Sequence, residues 1–198
     1  MKLDTATFRT RPWRIHEIAG DLRVEDVWSL PMTGGPGDFA AAVDTFVASL
    51  DPTCLSGEAA RMLLQARAKL GELLGWDRPE TGLDWRVASL AERLPPDLRR
   101  LPAPPAPTNL PFRGLYRLDN EWAAEIANHT VHGVIHLGWV ADGDVWRAQM
   151  AILVKPNGLL GAAYLAAIRT FCHSVIYPSL LRGIDRAWGQ HRVAPAAA

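Results

Sequence analysis

At 198 residues, 48% hydrophobic and 21% charged, the chain is long enough to bury a full core and has the composition of a single soluble globular domain. Its 21 Lys plus Arg balance 21 Asp plus Glu, so no summed field draws it to a nucleic-acid backbone or an anionic membrane, and nucleic acid is not expected as a partner. Two cysteines, Cys54 and Cys172, and an N-terminus without an apolar leader exclude a disulfide scaffold and a zinc ribbon and predict a cytoplasmic protein with reduced thiols.

In chain order, residues 1–10 are expected to be a flexible lead-in, residues 11–190 a single domain and residues 191–198 a disordered tail. Trp13 to Ile18 and Arg23 to Trp28 read as short strands. The stretch Met32-Thr-Gly-Gly-Pro-Gly lacks the Lys-Ser/Thr of a phosphate-binding loop. It reads as a connector into a helix that Asp38 can cap, with Phe39, Val43, Phe46, Val47 and Leu50 on one face. Ser56 can cap a second helix running to about Leu74, its stripe formed by Met62, Leu63, Ala66, Leu70, Leu73 and Leu74. A short helix at Ala88 to Leu94 precedes a Pro-rich connector near 95–111, where seven of the 15 prolines fall and neither a helix nor a central strand is expected. Eight tryptophans are many for this length and predict either a heavy aromatic core or a roomy cavity walled by indoles, the core being the preferred reading.

After a strand at Phe112 to Leu118, residues 121–155 spell out three more. An Asp142-Gly143 turn sets Trp139 opposite Trp146, Leu137 opposite Ala148, Ile135 opposite Met150 and Val131 opposite Val154, all apolar pairs. The alternate residues His132, His136, Arg147, Gln149 and Lys155 predict a sheet with one buried face and one wet face. A second turn at Asn128-His129 places Glu125 opposite His132 and Glu121 opposite His136 on the wet face. Such carboxylate–imidazole pairs can act as acid and base in catalysis. The preferred reading is an ordinary cross-strand contact worth about 0.2 to 1 kcal/mol, because no nucleophile or oxyanion donor can be placed beside either pair. The three histidines His129, His132 and His136 have metal-like spacing only on a helix. On a strand His132 and His136 stand about 13 Å apart, too far for one zinc at about 2.0 Å from each, so neither metal nor cofactor is expected.

From Asn157 onward the residues Leu160, Tyr164, Ala167, Ile168, Phe171, Val175, Leu181, Ile184 and Trp188 recur at helical spacing, and Pro178 predicts a kink near Ser174. Gly158 to Leu181 holds Arg169 as its single full charge, yet Arg169 and His173 in mid-span argue against a membrane partner.

This order of early strand, two helices, antiparallel strands and long C-terminal helix resembles the α+β helix-grip fold of the START-like, polyketide-cyclase-like (SRPBCC) superfamily. Three motifs carry a closer likeness: Arg11-Pro-Trp-Arg-Ile-His-Glu-Ile, the Trp122 to Trp139 run, and Val154-Lys-Pro-Asn-Gly-Leu-Leu-Gly with Tyr164. They resemble the uncharacterised bacterial domain-of-unknown-function family 2867, from about Arg11 to Trp188. The resemblance implies a curved antiparallel sheet gripping the helix and brings no catalytic residues with it. Residues 76–111 depart from the superfamily pattern, which has strands there.

The function expected from these features is a small-molecule binding module. An apolar ligand would lie between sheet and C-terminal helix, in a cavity lined by Ile135, Leu137, Trp139, Trp146, Ala148, Met150, Tyr164, Ile168 and Phe171, because Gly133 and Ala148 leave gaps beneath a helix that Pro178 keeps from lying straight. Two alternatives stay open. One is a cyclase- or hydrolase-like enzyme using Glu125 with His132, or Glu121 with His136; the other is an interaction module with an exposed Trp-rich face.

Overall fold

The computed structural model describes residues 1–51, 83–84, 87–108 and 110–193. The strands are β1 (Lys2–Leu3), β2 (Arg23–Gly34), β3 (Arg113–Arg117), β4 (Glu121–Ala127), β5 (Val131–Asp142) and β6 (Val145–Pro156). They form one open, six-stranded antiparallel sheet ordered β1-β2-β6-β5-β4-β3. The helices are α1 (Thr5–Arg9), α2 (Ile15–Ile18), α3 (Phe39–Ser49), α4 (Pro96–Arg99), α5 (Gly158–Phe171) and α6 (Tyr177–Val193), with a 3-10 turn at Leu90–Arg93. The fold is α+β with a long C-terminal helix. The helix expected at Ser56 to Leu74 and residues 194–198 of the expected tail lie outside the described residues, whereas residues 191–193 continue α6 and Pro96–Arg99 forms a helical turn inside the Pro-rich connector, its proline sitting in the first turn where no N–H is needed.

Both long hairpins turn one residue later than the sequence suggests. The β5–β6 turn centres on Gly143-Asp144, with positive φ (63°) at Gly143, and Asp142 pairs with Val145. The β4–β5 turn centres on His129-Thr130, because Asn128 Oδ1 accepts hydrogen bonds from the Thr130 and Val131 amides at 2.9 and 3.0 Å and from the Thr130 hydroxyl. Moving a turn by one residue slides the register by two. Trp139 therefore faces Ala148, Leu137 faces Met150, Ile135 faces Ile152 and Val131 faces Pro156. An even slip keeps every side chain on its own face, so the apolar face and the histidine face are as the alternation predicts.

The histidine face, however, is not wet. It is covered by Phe8 of α1, Trp13, Ile15 and Ile18 around α2, Leu90 and Leu98, which pack with Tyr116, Ala123, Val134, Val140, Ala151 and Leu153 of the sheet. The supposedly flexible first ten residues hold this cover in place, with β1 pairing β2 and Phe8 buried. Trp13 to Ile18 is likewise a loop and a helical turn rather than a strand. The Trp13 ring sits where a Cβ on residue 138 would lie, 2.7 Å from its ideal position, so Gly138 is what lets the indole reach the sheet.

The opposite face carries Leu30, Met32, Trp122, Ala124, Ile135, Leu137, Trp139, Ala148 and Met150, packed against Phe39, Val43 and Phe46 of α3 and Leu180, Ile184 and Trp188 of α6. Its three buried indoles each find a backbone carbonyl: Trp122 donates to Pro105, Trp139 to Gly35 and Trp188 to Thr33, at 2.9 to 3.1 Å. That satisfies the polar edge of a ring whose bulk is worth several core methylenes. None of the six described tryptophans is exposed, which removes the Trp-rich docking face from among the described residues.

The C-terminal helix runs without a break through a π-turn at Cys172–Ile176. Pro178 has no N–H and its ring crowds the carbonyl four residues back. The wider π-turn takes up that mismatch, so the expected kink near Ser174 becomes a local change of winding. By length and composition alone the span Gly158–Arg192 could cross a membrane, but it is tied to the sheet by His173 on Asp26 at 2.8 Å and by Arg169 at 3.8 Å from Glu25.

At the start of α5, a Cβ on Gly161 would sit 2.0 Å from the Thr130 carbonyl oxygen, which already accepts the Asn157 amide at 2.9 Å. Replacing Gly161 by Ala should therefore cost about 1 to 3 kcal/mol, read as a lowered midpoint in urea denaturation. An unchanged midpoint would mean that α5 is not seated on this turn.

Candidate functional site

The two Glu–His pairs anticipated from sequence are present, in a setting that the sequence did not indicate. His136 Nε2 lies 3.0 Å from Glu121, and His132 Nε2 lies 3.0 Å from Glu125. The direct cross-strand partners are Gly138 and Val134 respectively, so each contact is a diagonal one along the same face. All four residues are buried, with at most 3% of any of them exposed. An ionised carboxylate can only accept, so Nε2 of each ring carries a proton.

Each carboxylate also starts a helical turn of the covering layer. Glu121 accepts the Arg14 and Ile15 amides at 2.9 and 3.0 Å, at the head of α2, together with the Tyr116 hydroxyl at 2.5 Å. Glu125 accepts the Leu90 amide at 3.0 Å and the Ser89 hydroxyl, at the head of the Leu90–Arg93 turn. Burial pushes both carboxyls up, but the bonds from His136 and Tyr116 in one case and from His132 and Ser89 in the other outweigh it and hold both below the ordinary carboxylate range. Burial, reinforced by the neighbouring Glu121 charge, pushes the Tyr116 phenol far above its usual range and keeps it a donor. The His136 ring is enclosed by Phe8 and Trp13, with centroids 5.0 and 5.1 Å away, and its Nδ1 has no partner among the described residues. These pairs fasten a lid of structure to the sheet, and the space a substrate would need beside them is filled.

The residues expected to line a ligand cavity divide into two groups. Ile135, Leu137, Trp139, Ala148 and Met150 belong to the packed core beneath α3 and α6, and Trp146 is partly buried against it. Tyr164 and Ile168 on α5 are half-buried outside that core, and Phe171 is 51% exposed. The segment that closes over the five core residues is thus α6, one half-helix later than the sequence suggests.

A polar group that sequence reasoning passed over lies on this helix-facing side. Asp26 is 1% exposed, yet it meets His173 Nε2 at 2.8 Å and Lys2 Nζ at 2.8 Å. It points there because Glu25 is an extra residue between the Val24 and Asp26 rungs, and the bulge turns Asp26 away from the face on which Val24 packs. His173 stands on the π-turn, edge-on to Trp28 and tilted against Tyr177 with ring centroids 6.1 and 5.6 Å away, and its side chain is 29% exposed. Burial, with the nearby Cys172 and Asp26, pushes the Tyr177 phenol well above its ordinary range, and burial pushes the Cys172 thiol up to about 11. At neutral pH the thiol is therefore protonated and a poor nucleophile. The Trp28 indole N–H is buried without a partner among the described residues. Neither a bulge nor a π-turn leaves a legible mark in alternation or helical periodicity, and His173 by itself reads as an ordinary helix residue.

Residues 18–180 match the family described as Protein of unknown function (DUF2867), and the chain belongs to that family. No curated protein and no solved structure matches it.

Glu121→Gln and Glu125→Gln should each cost about 2 kcal/mol or more at neutral pH, since each removes charge-assisted bonds from a buried site. Both carboxyls titrate lower in the folded state than their ordinary 4.5. Their contribution is therefore complete above about pH 4.5 and is lost as pH falls through the folded-state values. Urea denaturation from pH 7 downward should show the parent losing stability below pH 4.5 and the variants losing less. A cost under about 0.5 kcal/mol at pH 7 would show that the pairs are solvated.

Proposed function

We propose that this member of the family is a small-molecule binding module of helix-grip type. A largely apolar ligand is held under α5 on the helix-facing side of the sheet, with its polar end at Asp26, His173 and Tyr177. The observation that carries this reading is the buried Asp26 carboxylate paired with a partly exposed histidine on a π-turn, beside an unpartnered indole N–H. A buried unmade hydrogen bond costs about 1 to 3 kcal/mol, and a ligand oxygen at this point would supply the acceptor. The apolar surroundings support the rest: α5 contributes Gly161 alone to the buried set, while Tyr164 and Ile168 stay half-buried above a sheet whose Ile152 is also partly exposed. The general resemblance to the START-like arrangement of sheet and helix points the same way.

A second reading is an enzyme in which Asp26 orients His173 as a general base, as a carboxylate does for a catalytic imidazole. The 2.8 Å contact and the solvent access of His173 favour this pair over the Glu–His pairs, which have no opening. Loss of ester hydrolysis in both His173→Ala and Asp26→Asn, with folding intact, would select the enzyme reading.

Native mass spectrometry of the protein as purified should show a bound small molecule, or uptake of an apolar fluorescent probe by the native state. Ile168→Asp and His173→Ala should each weaken that uptake by about tenfold. A bare mass together with probe uptake only on partial unfolding would overturn the binding-module reading.

A further inference from the structure

A separate cleft opens where β2 leaves its ladder. Between the rungs Ser29–Gln149 and Thr33–Arg147, β2 has three residues where β6 has one, and this wide bulge lifts Leu30 to Met32 out of regular pairing. The cleft beside it has a volume of about 700 Å³ and lies between the bulge, the β5–β6 hairpin, the Leu181 to Asp185 turn of α6 and the N-terminal layer. That size suits a small organic molecule. It shares no residue with the Asp26–His173 group.

The polar groups in its wall are unevenly satisfied. Arg147 is held by Asp142 at 2.7 Å. Arg11 and Arg182 also line the cleft, and neither has an ion-pair partner among the described residues. Among the described residues, the buried Arg11 Nε has no acceptor and the buried Gln149 Oε1 no donor. A guanidinium N–H taken out of water without an acceptor is costly, and native structures seldom leave one so. The remaining wall is largely apolar, including Leu30 and Leu181.

We propose that this cleft binds a small organic carboxylate with an apolar body. Arg11 and Arg182 take the carboxylate, a planar anion that matches the guanidinium fork. Gln149 Oε1 accepts from a hydroxyl or amide N–H on the ligand where one is present. Asp185 offsets one of the two unpaired guanidiniums, and the Met1 ammonium, which donates to the Ser29 carbonyl at 3.0 Å, keeps its charge, so the wall is net positive. This balance favours an anion over a neutral or cationic ligand.

Calorimetric titration of the full chain with octanoate, 1-octanol and octyltrimethylammonium tests the assignment. Octanoate should bind at least tenfold more tightly than the alcohol and the ammonium. Arg11→Gln should weaken octanoate binding by about tenfold, and Arg182→Gln by several-fold, with alcohol binding unchanged. Arg11→Lys, which keeps charge and length, should recover only part of the loss. Circular dichroism and the urea midpoint establish that each variant is folded; if Arg11→Gln does not fold, Arg182→Gln and Arg11→Lys carry the test. Equal affinity for octanoate and octanol, no heat at about 10 mM octanoate, or binding that survives both arginine variants would overturn the proposal. Binding that survives them but is lost in His173→Ala would place the octanoate at the helix site instead, which overturns this assignment while leaving the Proposed function intact.

Discussion

A carboxylate cannot be buried in a sheet unless donors come to it, and β4 buries two. Glu121 and Glu125 sit on one face, four residues apart on the strand, and their lone pairs are filled from both sides. From the sheet come His136, His132 and Tyr116; from the covering layer come the first amides of two helical turns. Those turns belong to segments about a hundred residues before Glu121 and a few tens before Glu125, so the pairs are long-range fasteners. Carboxylates buried this way are weak evidence for net stability, because an apolar replacement can do as well. What they supply is a definite position, since a slipped α2 or a slipped Ser89 would leave an anion without donors.

The two faces of the sheet are therefore held by different physics. On the helix-facing side, apolar burial dominates and three indole N–H groups reach backbone carbonyls at fixed points. The other side combines a second apolar cluster with the carboxylate contacts. The irregular features then fall where the regular lattice is interrupted. The single-residue bulge at Glu25 aims Asp26 at the C-terminal helix, and the wider bulge after Ser29 opens the cleft. The π-turn places His173 over Asp26. Local departures from ideal geometry are common at functional positions because they re-aim side chains that the pleat or the helical repeat would send elsewhere.

Much of this was legible in the residues. Strict alternation in 121–155 fixes which side chains share a face, and it survives the two-residue slip because the side-chain period is two. The Glu–His partners followed from that alternation even though the rungs were misplaced, since diagonal neighbours on one face are still within reach of long side chains. The position of the turns was not legible, because the bonds made by Asn128 Oδ1 decide between adjacent candidates. Nor was the burial of the histidine face. Polar alternation ordinarily means solvent, and the cover depends on Phe8, Trp13 and Leu98 arriving from short, weakly periodic segments. Trp13 to Ile18 resembled a strand because four residues of helix carry too little periodicity to distinguish the two.

The Glu121 cluster also sets the outer limits of the unit that can fold. The span shared with the family begins at residue 18 and ends at 180, but the donors at Arg14 and Ile15 lie before it, and Ile184 and Trp188 of the helix-side core lie after it. A fragment trimmed to the shared span would expose one core edge and strand a buried anion at the other. Sequence similarity here delimits what relatives have in common, whereas the hydrogen bonds delimit what must be present together, and the second boundary is the wider one.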